Sequence, residues 1–282
     1  MQSKIEEPKS EETALLHNVE PEKLQGIETI AEELGQNLMS LSVTELYTKG
    51  IVYVDNPEEP NIYVIWNCCD SILVGGRIED NLLIPLRDLF SKTLMTLARG
   101  FGIPHLNFYS APVMYERLGN ILIGLGSRQV RRSLFQMRSS KDMKSGNCNN
   151  DNAPRRITRE LLEMELTNTK ALEGWIYSFW KDEESFLRNS GGYAVVRKGT
   201  ILSWCIGVYR SADRIEVGLE TVEESRNQGF GMAVSRACIN EFLSNGLTVD
   251  WHCDSANSPS LSIARKLGFK EILEYSIYQI DT

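Results

Sequence analysis

The chain has 282 residues and 42% hydrophobic content, enough for one large or two modest domains with cores of their own. Its formal net charge of −8 argues against a nucleic-acid partner, because phosphate binding needs clustered positive charge. No apolar run reaches the length of a membrane span, so no membrane partner is expected either.

From the N-terminus, residues 1–12 are rich in Lys, Glu, Ser and Pro and lack an apolar centre. A mobile tail over 1–20 without a targeting signal is expected, and with it a cytoplasmic location. An α/β lobe is predicted over 21–140. Ile51–Val54, Ile62–Trp66 and Ser71–Gly75 read as strands. A helix follows over Leu82–Arg99, and His105–Tyr109 reads as a further strand. Ile121–Gly126, followed by Arg128, Arg131 and Arg132, has the pattern of a strand, a glycine loop and a basic helix. Val130, Leu134 and Met137 would then be the buried stripe of that helix, and its arginines a solvated face. A second phosphate site there is the sharper but less favoured reading.

Residues 141–154 carry polar and turn-forming side chains with little hydrophobic periodicity, which marks a linker. A second domain is expected over 155–282. The six cysteines are scattered; Cys205, Cys238 and Cys253 lie in hydrophobic runs, and adjacent Cys68 and Cys69 lack a metal-binding spacing. Buried thiols, a reducing compartment and no metal site follow. Trp175 and Trp180 flank Tyr177 and Phe179 at spacings that pack a helix or, less favoured, line a cleft.

The most informative stretch lies in this second domain. Ile215, Val217, Leu219 and Thr221 alternate with Glu216, Gly218 and Glu220 and predict a strand. Phe230, Ala233, Val234, Ala237, Cys238 and Phe242 recur at helical spacing and predict a helix of about four turns beginning near Gly229. Between them stands Arg226-Asn227-Gln228-Gly229-Phe230-Gly231. The first-turn N–H groups of a helix lack intrahelical acceptors and sit at the positive end of its dipole, so such a turn holds anions. A dinucleotide fingerprint would need a small residue where Val234 stands, and a P-loop would need Gly-Lys-Ser/Thr. Further on, Val249, Trp251 and Cys253 read as a strand. Asn257 or Ser258 can cap a helix that has Pro259 at its start and Gly268 at its stop.

The Arg226–Gly231 turn, the Asn257-x-x-Ser260 helix and Leu267-Gly268-Phe269 occur in the order used by the GCN5-related N-acetyltransferases (GNAT), and the chain resembles that superfamily. Gly191–Val196, Ser203–Cys205, Glu216–Thr221, Asp250–Cys253 and Ala264–Phe269 look like the subgroup that includes the zwittermicin A resistance acetyltransferases. The resemblance implies a mixed, mostly antiparallel sheet flanked by helices over 155–282. It also implies acetyl-CoA as co-substrate and transfer of acetyl to a small-molecule amine. Val113–Gly119 faintly echoes Ile263–Gly268, so the first lobe is either a degenerate repeat of the same fold or an unrelated α/β unit.

The resemblance places the diphosphate of CoA on Arg226, Asn227, Gln228, Gly229, Phe230 and Gly231. Main-chain donors near Thr221 and Val222 would polarise the thioester carbonyl, and Asn257 and Ser260 would meet the pantetheine arm or cap their own helix. Glu220 is the preferred general base, with Glu216 and then His252 as alternatives, because a carboxylate withdrawn from water has a raised pKa suited to accepting an ammonium proton. Solvent-facing glutamates and a packed histidine are the plainer readings. The usual acid tyrosine of the family is replaced by Ala264, which leaves Tyr275, Tyr278 or water to protonate the thiolate. A non-catalytic acyl-CoA-binding regulatory module, or use of longer acyl donors, is the alternative. The acceptor's identity and the oligomeric state are not legible.

Overall fold

The structure, a computed structural model, describes residues 15–23, 37–144 and 153–282. Of the tail expected over 1–20, residues 1–14 lie outside the described residues, and His17–Val19 form strand β1 against β2. Of the linker expected over 141–154, residues 145–152 lie outside them.

All strands belong to one twelve-stranded sheet in the order β1-β2-β3-β4-β5-β12-β6-β11-β10-β9-β8-β7. The first half contributes β2 (Ile51–Val54), β3 (Ile62–Trp66), β4 (Ser71–Gly76), β5 (His105–Ser110) and β6 (Arg128–Met137). The second contributes β7 (Arg155–Arg156), β8 (Gly192–Arg197), β9 (Thr200–Arg210), β10 (Arg214–Thr221), β11 (Thr248–Asp254) and β12 (Lys270–Asp281). The pairs β4–β5 and β10–β11 are parallel and the others antiparallel, so the sheet is mixed and mostly antiparallel.

The two central strands are exchanged between the halves. Strand β6 precedes the expected linker yet pairs with β11, while β12, the last strand of the chain, pairs with β5; the two also pair with each other. The halves thus share one continuous hydrogen-bonded ladder.

Helices cover both faces. One face carries α2 (Leu83–Asp88), continued through a π-helical stretch, Leu89–Leu94, into α3 (Met95–Gly100), and α4 (Tyr115–Leu122). On the same face of the second half lie α8 (Phe230–Ser244) and α9 (Ser258–Leu267). Helices α1 (Leu38–Thr44), α5 (Arg159–Leu162), α6 (Thr169–Phe179) and α7 (Glu183–Asn189) cover the other face. There a single core joins Leu38, Met39 and Val43 of α1 to Trp180, Trp204, Ile206 and Tyr209. Helix α1 belongs to the first half but is tied to the second: Arg210 donates its N–H to the Ser42 hydroxyl at 3.0 Å, and Ala212 donates its N–H to Glu45 at 3.0 Å.

The basic segment departs from expectation. Arg128–Met137 is strand β6, and helix α4 with a short 3-10 turn, Ile123–Leu125, precedes it. The spacing of Val130, Leu134 and Met137 suits a helix, but Phe135 is also fully buried, and a central strand covered on both faces buries consecutive residues. Arg132 is not a solvated side chain: it is 18% exposed and ion-paired to Asp254 at 3.0 Å.

Trp175, Phe179 and Trp180 at the end of α6 pack against the core, and Tyr177 does not. Trp180 is fully buried and donates its indole N–H to the Gly207 carbonyl at 2.9 Å, which holds the end of the helix beside the bulge where β9 carries an extra residue opposite β10. Tyr177 is 45% exposed. Replacing Trp180 by Ala is therefore expected to cost about 3–5 kcal/mol in urea unfolding, whereas Tyr177→Ala should stay within about 0.5 kcal/mol.

Candidate active site

Strands β10 and β11 pair in parallel only from Arg214 to Glu216, which stand opposite Thr248 to Asp250. Asp250 pins this short ladder: it is fully buried, accepts from Arg214 Nε at 3.1 Å and accepts from Gln136 Nε2 at 2.9 Å. Beyond it the two strands part, and β10 continues to Thr221 with only β9 as partner. The cleft between them is bounded by Val217–Thr221 on one side and Trp251–Asp254 on the other.

Alternation along β10 gives the cleft two different walls. A Cβ added at Gly218 would stand 2.8 Å from the Trp175 ring, so Glu216, Gly218 and Glu220 face α6. Leu219 and Thr221 face the first turn of α8: a Cβ on Gly231 would lie 3.1 Å from Thr221 Oγ1 and 3.5 Å from Leu219 Cδ2. Gly231 thus lets the helix start sit down on the end of the strand.

On the α8 wall, the chain enters the helix through two left-handed residues, Asn227 (φ 61°) and Gly229 (φ 83°). Gly229 is the N-cap, no side chain caps the helix, and Phe230 anchors its start in the core. The first-turn N–H groups of Phe230, Gly231 and Met232 therefore have neither a helical nor a side-chain acceptor among the described residues. Arg226 donates from Nε to the Thr221 carbonyl at 3.2 Å, and Gln228 donates to the Glu224 carbonyl at 3.1 Å; both side chains brace the turn. The N–H groups of Thr221 and Val222 are engaged, with Glu220 Oε1 at 3.0 Å and the Leu202 carbonyl at 3.0 Å. Asn257 caps α9, its Oδ1 accepting from Ser260 N at 3.1 Å, and the Ser260 hydroxyl accepts from the Trp251 indole at 2.9 Å. Ala264, at the position of the family's tyrosine, is fully buried.

On the α6 wall the two glutamates differ sharply. Glu220 is 35% exposed, bonded to the N–H of the next residue and 3.6 Å from Arg226. Glu216 is 14% exposed and sits in a buried polar cluster drawn from both halves: Tyr109 from β5, Arg132 from β6, Tyr209 from β9, His252 from β11 and Tyr275 from β12. These groups line a cavity of about 20 Å³. Burial, reinforced by the charge of Asp250, pushes the Glu216 carboxyl up to about 8 despite Arg132 and Arg214. Burial, with Arg132 and Arg214 adding to it, drives His252 down to about 3. The imidazole is therefore neutral at physiological pH and a weak base, whereas the carboxylate of Glu216 binds a proton avidly. Tyr275 bonds His252 Nδ1 at 2.7 Å. Tyr278 lies elsewhere, stacked on Tyr115 at 4.5 Å in the core under α4.

Of the residues picked out from sequence, the structure brings Glu216, His252 and Tyr275 into one cluster and gathers Thr221, Arg226–Gly231 and Glu220 at the neighbouring strand end. Arg132, Tyr109 and Tyr209 were missed as site residues. A strand reading of Arg128–Met137 would have put Arg132 and Leu134 on one face, but nothing in the sequence locates that face opposite Glu216.

A family profile described as GNAT acetyltransferase matches residues 28–278. An uncharacterized N-acetyltransferase of Bacillus subtilis (strain 168), YdfB, is 27% identical over 265 residues, which is 94% of this chain and 98% of that one. Among solved structures, a GCN5-related N-acetyltransferase-like protein from Streptococcus suis 89/1591 aligns with a TM-score of 0.63 and 20% identity, covering 88% of this chain and 98% of its own. A GCN5-related N-acetyltransferase from Kribbella flavida aligns at 0.53 and 13% identity over 89% of this chain and 93% of its own. These structural likenesses establish the fold.

The buried Glu216 carries a pH signature. Its raised pKa means that the folded state holds the proton more tightly than the unfolded chain between the ordinary value of 4.5 and about 8. The stability this contributes is complete below 4.5 and is lost as pH rises through about 8. In Glu216→Gln the side chain no longer titrates, so urea midpoints of variant and parent should diverge in the variant's favour as pH rises from 5 to 8. A constant difference across that range would contradict the burial of this charge.

Proposed function

The chain belongs to the GNAT acetyltransferase family, whose co-substrate is acetyl-CoA, and from that premise we propose that it moves acetyl directly from acetyl-CoA to the amine of a small molecule. The observation that supports this most strongly is the cleft where β10 and β11 part, because it has an uncapped helix start on one wall and a buried, proton-hungry carboxylate on the other. The residues fit the co-substrate. The unpartnered N–H groups of Phe230, Gly231 and Met232 would hold the diphosphate, with the dipole of α8 behind them and Asn227 and Gly229 letting the backbone approach. Arg226 and Gln228 keep the turn in shape rather than carry the charge. Asn257 and Ser260 border the same cleft as the cap of α9.

On the opposite wall we assign the general base to Glu216 and not to Glu220. A neutral amine attacks the thioester carbonyl carbon, the N–C bond forms as the C–S bond breaks, and the proton of the attacking nitrogen passes to Glu216. The departing thiolate then receives a proton from solvent or from the base. Glu220, bonded to Thr221 N–H and close to Arg226, positions the strand end; a shift of its side chain would free Thr221 N–H to face the carbonyl. Trp175 covers the acceptor side at Gly218. The acceptor is a soluble amine of the aminated-metabolite kind, in keeping with the segments that resemble those of zwittermicin A resistance enzymes. The first half of the chain is a repeat of the same fold that has lost the Arg-x-x-Gly-x-Gly turn and serves to close the acceptor side.

Calorimetry should detect CoA binding, and Gly231→Val, whose side chain would press on Thr221, should weaken it by about tenfold or more. Undiminished affinity in that variant would remove the diphosphate from this turn. With an acceptor amine that itself titrates below pH 7, kcat/KM should rise with pH to a plateau above about 8, following Glu216. Glu216→Gln should abolish that limb and lower kcat/KM by about 10²–10⁴-fold with CoA affinity retained. CoA binding without turnover over a broad amine panel would instead make the protein an acyl-CoA-binding regulatory module.

A further inference from the structure

Three hydrogen-bonding groups behind Glu216 have a fixed sense. Arg132 of β6 stands directly opposite Tyr275 of β12, and its cation favours the oxygen end of that hydroxyl toward itself. The Tyr275 hydroxyl has no other acceptor among the described residues, so its proton goes to His252 Nδ1, 2.7 Å away. Nδ1 is then an acceptor, so in the neutral imidazole the proton must sit on Nε2. That Nε2 belongs to a side chain only 5% exposed, has no hydrogen-bond partner among the described residues, and points across 3.9 Å at Glu216 Oε2. The gap is too long for a direct bond. The cavity it opens onto measures about 20 Å³, room for about one water molecule. Arg132, whose Nε is also buried and without a partner among the described residues, lines the same cavity. Two donors and one carboxylate around a water-sized space satisfy one water completely: it accepts from both N–H groups and donates to Glu216.

We propose that Arg132 and Tyr275 are positioning residues that lock His252 with its proton on Nε2, and that this N–H, through one water, holds Glu216 as the carboxylate that takes the acceptor's proton. The proposal rests on Glu216 being the base. It gives a role to exchanged strands β6 and β12, which place Arg132 and Tyr275 behind the cleft, and it makes His252 a donor rather than a base. The groups acting on Glu216 oppose one another. Asp250 on β11 and Asp70 in the turn before β4 disfavour its charge, while Arg132 on β6 and Arg214 on β10 favour it. Tyr209, Tyr109 and Tyr275 stand around it as neutral phenols raised by burial, and α1 presents only the uncharged Asn37 and Met39 to the cavity.

Removing the Tyr275 hydroxyl lets the imidazole proton move to Nδ1, which turns an acceptor toward the carboxylate and favours its protonated form. In Tyr275→Phe, the Glu216 carboxyl, followed by infrared difference spectroscopy and identified by its loss in Glu216→Gln, should titrate about one pH unit higher. The acid limb of kcat/KM should move with it. Adding His252→Gln, whose amide supplies an N–H near the place of Nε2 whatever Tyr275 does, should bring both back. A Glu216 titration unmoved by Tyr275→Phe overturns the proposal. A titration that moves while the kinetic limb stays supports the positioning chain and sinks Glu216 as base, so the two readings fail separately. Independently of any variant, nitrogen-15 shifts of His252 in the unaltered protein should show Nε2 protonated and Nδ1 bare; the reverse pattern overturns the proposal.

Discussion

The exchange of β6 and β12 between the two halves is the constraint on which the rest of this structure depends. A parallel pair such as β10–β11 that parts after three residue pairs leaves main-chain groups exposed along both strands. Such an opening persists only if each strand is held firmly on its outer side. Strand β9 does this for β10, and β6, inserted from the other half, does it for β11 along six residue pairs. Strand β12 in turn locks β6 to β5. The cleft is thus a property of the whole sheet and not of its C-terminal half.

The same exchange decides the electrostatics. Asp250 at the last rung is matched by Arg214 and Gln136, which offset part of a burial that still holds its carboxyl above the ordinary range. Glu216, next to it on the ladder, has no such direct partner among the described residues, and the cations that act on it, Arg132 and Arg214, are already paired with Asp254 and Asp250. The fold therefore leaves one carboxylate under-compensated at the point where the strands separate. That is the circumstance in which burial raises a pKa toward the range useful for proton transfer near neutrality. Glu220, four residues on, is 35% exposed.

Much of the second half was legible in the sequence, for local reasons. The alternation in Ile215–Thr221, the helical stripe from Phe230 to Phe242, and the punctuation by Gly229, Pro259 and Gly268 each depend on residues within one element. The structure reproduces them as β10, α8 and α9. Arg128–Met137 misled because a strand buried on both faces loses its two-residue period, so that its apolar positions fit a helix as well. Glu220 stands nearer the glycine turn along the chain than Glu216 does. Nearness along the chain does not report how much protein lies above a side chain.

By itself, then, the sequence determined most elements of the second half and the glycine turn that starts α8, since these follow from short-range pattern and backbone stereochemistry, and its motifs carried the resemblance to a family that uses acetyl-CoA. Tertiary structure alone decided which glutamate is buried, that His252 is buried beside it, and that Arg132 and Tyr275 stand behind them. Burial and charge compensation are sums over groups brought together from distant parts of the chain, here across the exchanged strands, and no local pattern encodes such a sum.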